Sequence, residues 1–343
     1  MRKQSATGLS RRRLLSLSTG AIFAAGLGTA TGIAVTPSIA AAAVPASKRF
    51  DLGGSSDRLF WKRSLHEKPI MQCFAFDNVN GEVYVMQRSD RADSKRQGHL
   101  AINRMTLSGD LISRMYLNGF GHGIAFGVQP TSSGVIMWTE ADAQPHGTDN
   151  SRARVVCRFP WRASTTPITK ADVELYEPIA GMKMASCSLD LDHNTIAVRY
   201  TRDGVDGMRV SLYNLDQFAA HDFSNRLADI STRPVHSPTV TPQGYQHYGQ
   251  HLYLLQGNPY NQHCSLPGKK GTGNTVLGRI NFNDETDFES RGTDAGYSLS
   301  FREPEGLGLY KHTDGQLRLA MGFASGCAGS RQANIYYKAS APV

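Results

Sequence analysis

His122 stands in the run Gly119-Phe120-Gly121-His122-Gly123, where glycines leave the imidazole open and let a ligand approach the backbone. An imidazole in such a place can donate a hydrogen bond to a sugar or act as a general base. Other side chains of matching type accompany it. Gln72 and Gln243 carry amides, Ser186 a hydroxyl, Glu305 a carboxylate, Lys183 an ammonium and Arg199 a guanidinium. Trp138, Tyr200, Tyr245 and Tyr260 are candidate stacking faces. The set suits carbohydrate recognition. It would also suit a lyase on a uronic acid, with His122 as base and amides or cations stabilising the developing carboxylate charge. A glycosidase needs two carboxylates at a set separation; Glu305 is one, and a second would have to come from Glu140 or Asp142. No G-x-S-x-G elbow occurs, so serine esterase chemistry has no support. The same polar groups would also serve a purely structural role, filling a narrow channel and satisfying one another, with Lys183 neutralising Glu305.

No metal and no cofactor is expected. C-x-x-C spacing is missing, and His247, His251 and His263 cluster in sequence only, because the strands separate His247 from the others.

The elements that must hold these residues are strands. Short alternating runs divided by Gly, Asn, Asp and Pro dominate the chain beyond residue 43. Five of them share a register: Gln72–Asp77, His122–Gly127, Ser186–Leu191, Gln243–Tyr248 and Glu305–Tyr310. Each opens with a polar residue followed by a very small one (Cys73, Gly123, Cys187, Gly244, Gly306), then a turn such as Asn80-Gly81 or Asp314-Gly315 and a second strand. Third strands follow, as at Ala153–Phe159 and Thr275–Phe282. The first positions lie 50, 64, 57 and 62 residues apart. A unit of that length with three or four strands predicts an all-β fold, a five-bladed β-propeller. Small second residues fit inner strands crowded around an axis. Ring closure is expected from the N- and C-terminal strands, Arg58–Leu65 pairing with Asn334–Lys338.

In this arrangement Gln72, His122, Ser186, Gln243 and Glu305 ring one mouth of the axial channel. The loops around it, 88–97, 139–150, 201–206, 257–273 and 322–331, carry formal charges that sum to +1. A groove for a dense polyanion should be more uniformly basic, so a neutral or modestly charged carbohydrate is the expected ligand. Cys264 and Cys327 fall 21 and 22 residues after Gln243 and Glu305, in equivalent loops of neighbouring blades, and are the candidate disulfide. Distance decides between that bridge and two free thiols.

The first 43 residues hold five basic residues and no acid; without them the formal charge of +8 falls to +3, which removes the main argument for nucleic acid. Arg11-Arg12-Arg13-Leu14-Leu15, an apolar stretch to Val35 and small residues at 38–43 read as a signal peptide of twin-arginine type over 1–43. An ordinary secretory signal rich in arginine is the alternative. A linker is expected over 44–57 and the propeller over 58–343, with the mature protein secreted and no membrane span after cleavage.

Several of these motifs resemble one family, the TagC-type propellers. They are Met71–Asp77 with Asn80-Gly81, Gly119–Gly123 with Met137–Glu140, Gln243–Tyr245 with Leu252–Leu254, and Glu303–Leu307. That family includes receptor-binding propellers of podoviruses of Gram-positive bacteria and secreted proteins labelled teichoic acid biosynthesis protein C or phage baseplate protein. The resemblance spans roughly Arg58 to Lys338 and is weakest at Ser186-Cys187-Ser188. It implies a five-bladed propeller in contact with cell-wall glycopolymers. The combined expectation is a secreted carbohydrate binder acting at the His122 mouth on a cell-wall or extracellular glycopolymer. The alternative is a polysaccharide lyase with His122 as base. Whether the protein is an enzyme stays open, as does its oligomeric state.

Overall fold

The computed structural model describes residues 44–260 and 264–343; the expected leader, 1–43, lies outside the described residues. Among the described residues, twenty strands form five antiparallel blades. Blade one is β2 (Met71–Asp77), β3 (Glu82–Arg88), β4 (Leu100–Thr106) and β5 (Leu111–Leu117). Blade two is β6 (Gly127–Thr131), β7 (Gly134–His146), β8 (Asn150–Pro160) and β9 (Glu174–Tyr176). Blade three is β10 (Lys183–Asp190), β11 (Thr195–Thr201), β12 (Arg209–Asn214) and β13 (Arg226–Ser231). Blade four is β14 (Pro242–Tyr248), β15 (His251–Gln256), β16 (Val276–Asn281) and β17 (Asp284–Gly292). Blade five takes β18 (Glu303–Lys311), β19 (Leu317–Ser325) and β20 (Gln332–Lys338) from the C-terminal end, and β1 (Ser56–Ser64) from the N-terminal end.

The ring closes twice over. β1 runs antiparallel to β20, with Ser56 opposite Lys338 and Ser64 opposite Gln332, which is the closure expected from the strand pattern. The inner strands also touch in sequence, β2 to β6, β6 to β10, β10 to β14, β14 to β18 and β18 back to β2. Crowding at the axis accounts for the small residues there. A Cβ added to Gly244 would lie 2.6 Å from the Cα of Gly306, and one on Gly306, whose φ is +84°, would lie 2.8 Å from the Cα of Cys73.

Both faces of each blade are dry. Apolar side chains gather into five clusters, one per blade interface: Met86 with Met137, Trp138 with Ile196, Leu212 with Leu252, Leu255 with Met321, and Val83 with Ile335. Each buried Leu, Ile or Val contributes about 1.5–3 kcal/mol by leaving water, so the interfaces hold the ring and the polar residues are left to the axis and rims.

Two expected features of blade two differ. The strand expected over His122–Gly127 forms ladder bonds only from Gly127, because the backbone N–H groups of His122 and Gly123 turn away to the carboxylate of Glu140. The loop expected over 139–150 is a hairpin, β7 and β8 staying paired out to His146 and Asn150. Its composition is rich in Asp, Asn, Gly and Pro, with Thr139 and Thr148 its β-branched residues, so it reads as loop; the pairing is held instead by Asp142, which binds Arg154 and Lys170.

Residues 44–57, expected as a linker, are packed. Phe50 and Leu52 are fully buried, and the Phe50 N–H donates to the Tyr253 hydroxyl at 3.0 Å. Val44 exchanges hydrogen bonds with Asn283, the Gln250 N–H donates to Ser47 Oγ, and Arg49 exchanges backbone hydrogen bonds with Val343. Gln250 and Asn283 sit in turns at the pole where the inner strands end. That pole is opposite the one where Gln72, Ser186, Gln243 and Glu305 begin theirs.

Candidate functional site

The mouth is assembled from residues far apart in sequence. His122 precedes β6; Arg88 ends β3; Glu140 lies on β7; Asn150 and Arg152 open β8; Arg199 sits on β11 opposite Ser186. Glu140 is the buried anchor. One of its oxygens accepts from the His122 and Gly123 backbone N–H groups, and a Cβ on Gly121 would collide with that oxygen. Only glycine fits there. Burial raises the Glu140 pKa, and the hydrogen bonds with Arg152's charge pull against the rise.

The His122 ring is half-buried, with Nδ1 2.5 Å from Asn150 Oδ1. That oxygen also takes the Ser151 N–H and Arg152 Nη1, so it is an acceptor and Nδ1 carries the proton. Arg88 Nη2 lies 3.4 and 3.5 Å from the two ring nitrogens. Burial, then the charges of Arg152 and Arg88, hold the His122 pKa well below the ordinary histidine value. The ring is a neutral imidazole with a lone pair at Nε2.

Three guanidiniums surround it. Burial pulls the pKa of Arg152 down to about 10 and lowers those of Arg88 and Arg199, and Arg152 is repelled by the other two. Arg199 is 7% exposed. Arg152 Nε and Arg199 Nη1 are buried donors without an acceptor. Such groups cost about 1–3 kcal/mol each when left unpaired.

Across the mouth, blade five contributes Glu303 and Glu305. Glu303 accepts a long hydrogen bond from Gln243 Nε2 at 3.5 Å. Glu305 is 4% exposed; burial raises its pKa well above the glutamate value, the Glu303 charge adds to the rise, and Arg88 and Arg331 oppose it. Gln72 donates through Nε2 to the Met71 carbonyl, while its Oε1 is buried and unpartnered.

His122, Gln72, Gln243 and Glu305 are thus brought to one mouth. Other expected site residues are not. Trp138 is wholly buried against Tyr176 and Phe218 and donates to Gln129, so it has no face to offer a sugar. Tyr245 is 1% exposed; its hydroxyl donates to the Ala197 carbonyl and accepts from the buried Ser186 hydroxyl. Both are spent inside the ring. Tyr200 is buried and donates to Asp229. Lys183 is exposed and pairs with both oxygens of Asp203, so the cations acting on Glu305 are Arg88 and Arg331 instead. Arg88, Arg152, Asn150, Glu303 and Arg331 escaped sequence reading, although Glu303 stands two residues before Glu305. Arg199 inside the apolar run Ile196–Tyr200 was the clearest signal of an inward charge.

The mouth itself sets Arg88, Arg152, Arg199 and Arg331 against Glu140, Glu303 and Glu305, so opposite charges nearly balance there as well. The loop acids Asp142, Asp203 and Asp206 are paired with Arg154 and Lys170, with Lys183 and with Arg233. What faces His122 is a set of guanidiniums.

His247 is clamped between Ser188 and Thr195 hydroxyls, with its pKa pushed down to about 4 by burial; His251 lies beside Arg279, and His263 lies outside the described residues. Among the described residues no group of three or more His, Cys, Asp or Glu is placed to hold a metal ion. Cys264 and Cys327 are disulfide-bonded, with Cα atoms 4.6 Å apart. Cys73, Cys157 and Cys187 are buried thiols whose pKa burial raises, which makes them unreactive.

A cavity of about 280 Å³ opens at the opposite pole, lined by Phe76, Phe126, Leu189, Tyr248 and Leu309. Its buried acid, Asp190, already accepts from His193, Asp192 and Gly249, so no unmet polar group there would direct a ligand.

The sequence profile described as phage 5-bladed beta propeller receptor binding platform domain matches residues 70–337. A Bacillus subtilis (strain 168) protein that bears the name "Putative major teichoic acid biosynthesis protein C" is 25% identical over 292 residues, which cover 84% of this chain and 63% of that protein. The chain therefore spans less than two thirds of that relative. The tail fiber of Staphylococcus aureus phage P68 superposes with a TM-score of 0.64 at 17% identity, over 85% of this chain and 54% of the fiber chain. That likeness carries the fold.

Proposed function

The chain belongs to the family of phage five-bladed β-propeller receptor-binding platform domains, and from that premise we propose that it binds a cell-surface glycopolymer at the axial mouth around His122. The observation that carries this reading is the guanidinium cluster of Arg88, Arg152 and Arg199, with donors that lack acceptors. A bound anion would supply both countercharge and acceptors, and planar guanidiniums suit phosphate or carboxylate oxygens. The polymer is therefore one bearing anions along a sugar or polyol chain. Gln72 and Gln243 offer amides to its hydroxyls. The name of the Bacillus subtilis relative supports a polymer of teichoic-acid type. The signal-like first 43 residues support export, and the Cys264–Cys327 disulfide supports an oxidising compartment.

Retention of the protein on isolated anionic wall polymer and on a neutral polysaccharide, at low salt, tests the reading. Wild type should hold the anionic polymer at least ten times more tightly, and Arg152→Gln should lose most of that preference. Equal retention of the two polymers would end the proposal.

One observation favours a second reading. Asn150 fixes the proton on His122 Nδ1, which leaves the Nε2 lone pair as a proton acceptor beside cations able to stabilise a carboxylate-derived enolate. A lyase on an anionic polysaccharide would use that arrangement. Ultraviolet absorbance from unsaturated uronates, formed by wild type and absent with His122→Gln, would establish it.

A further inference from the structure

Two unmet poles of opposite sign face one another across the mouth. On the side of blades two and three, Arg152 Nε and Arg199 Nη1 are buried donors with no acceptor. On the side of blade five, the Glu305 carboxyl is 4% exposed and accepts no hydrogen bond from the described residues, and Glu303 has only the 3.5 Å contact from Gln243. Among the described residues, no oppositely charged side chain comes within 4.0 Å of Glu303, Glu305, Arg152 or Arg199. Gln72, in blade one, adds a buried carbonyl oxygen without a donor. Intramolecular ion pairs are plentiful elsewhere, at Glu82–Arg104, Asp229–Arg209 and Asp287–Arg279 for example, so the chain readily pairs charges where none is needed for a ligand.

We propose that the ligand's repeating unit is zwitterionic, with an anionic group held by Arg152 and Arg199 and a primary ammonium held by Glu305 and Glu303. The inference rests on the glycopolymer reading above and adds the ammonium to it. Two carboxyl groups two residues apart, one buried and one half-buried, repel one another when both are ionised, so one of them holds a proton until a cation enters. Arg88 and Arg331 act on them only from a distance. An ammonium has three donors and fits between two carboxylates; an N-acetyl group has no charge and a single donor. The mouth thereby distinguishes an amine-bearing polymer from its acylated form, which a purely cationic mouth would not do.

The test uses sn-glycero-3-phosphoethanolamine, a polyol phosphodiester with an ammonium, and its N-acetylated derivative, each titrated calorimetrically into the full chain. The amine should bind at least ten-fold more tightly than the amide. Arg199→Gln should weaken both, and Glu305→Gln should abolish the difference between them. The wild-type comparison stands without either variant, and melting curves show whether each variant is folded. Equal affinity for the two compounds, or binding of neither, would overturn the zwitterion proposal. If anionic wall polymer is still retained in that case, the glycopolymer reading survives; if it is lost as well, both fall.

Discussion

Asn150 holds the imidazole of His122 through a 2.5 Å contact from Nδ1 to its side-chain oxygen, and that oxygen also accepts from the Ser151 N–H and Arg152. One side chain therefore sets the tautomer of the ring and the position of the neighbouring cation. Asn150→Ala should release both together. In a titration with anionic wall polymer, affinity should fall more than for His122→Gln, which removes only one partner.

His122→Gln keeps a polar group of similar reach. If the ring serves as a hydrogen-bond donor or acceptor to a sugar, affinity should drop by about 1 kcal/mol, or roughly five-fold. Calorimetric titration reads that change. A cut of about 10²- to 10⁴-fold in product formation with binding intact would mark a general base instead.

Arg199 is a nearly buried cation without a paired carboxylate. Replacing such a charge with a neutral residue of similar volume often leaves stability unchanged or raises it by about 1–4 kcal/mol. Arg199→Met should accordingly melt no lower than wild type while losing affinity for anionic polymer more than ten-fold. Scanning calorimetry and binding must move in opposite directions; a lower melting temperature would make Arg199 a structural residue.

Glu305 has a raised pKa in the folded protein, so the native state holds its proton more tightly than the unfolded chain. Its contribution to stability is full below the ordinary value of 4.5 and is lost as pH rises toward the elevated value. His247 works the other way. Its native pKa of about 4 lies below the ordinary 6.5, so its contribution is full above 6.5 and lost as pH falls toward 4, by about 3 kcal/mol in total. Glu305→Gln should flatten the alkaline side of a plot of unfolding free energy against pH. His247→Gln should flatten the acid side.

The Cys264–Cys327 bond spans a sequence separation of 63 and joins the rim loops of blades four and five. Its removal by Cys264→Ser with Cys327→Ser should destabilise by up to about 4 kcal/mol in the chain-entropy description. Mass mapping without reductant should recover both cysteines in one linked peptide pair.

Much of the fold was legible because it depends on local necessity. Gly244, Gly306 and Cys73 are small where three backbones converge, and turns such as Asn80-Gly81 set the register of each unit. Closure by β1 and β20 followed from counting strands. The site was legible only along the inner strands. Alternation assigns a residue to a face, but in this ring both faces of a blade are interior, so the aromatic rings of Trp138 and Tyr245 went to neighbouring blades rather than to the mouth. Arg88, Arg152 and Arg199 converge from β3, β8 and β11, and no spacing within the chain announces that meeting. The sum of loop charges is silent for a related reason: it does not say which charges are already paired.

Arg49 and Val343 are joined by reciprocal backbone hydrogen bonds, and Ser47 and Val44 are fastened to turns at the pole away from His122. Any attachment made through either of these segments therefore holds the disc by its back. On a bead, a sensor chip or an envelope, every copy would present its mouth outward. A field of such discs would meet a long polymer at many repeats at once, so weak individual contacts would add up to firm retention, with the spacing between discs deciding which polymers can be gripped.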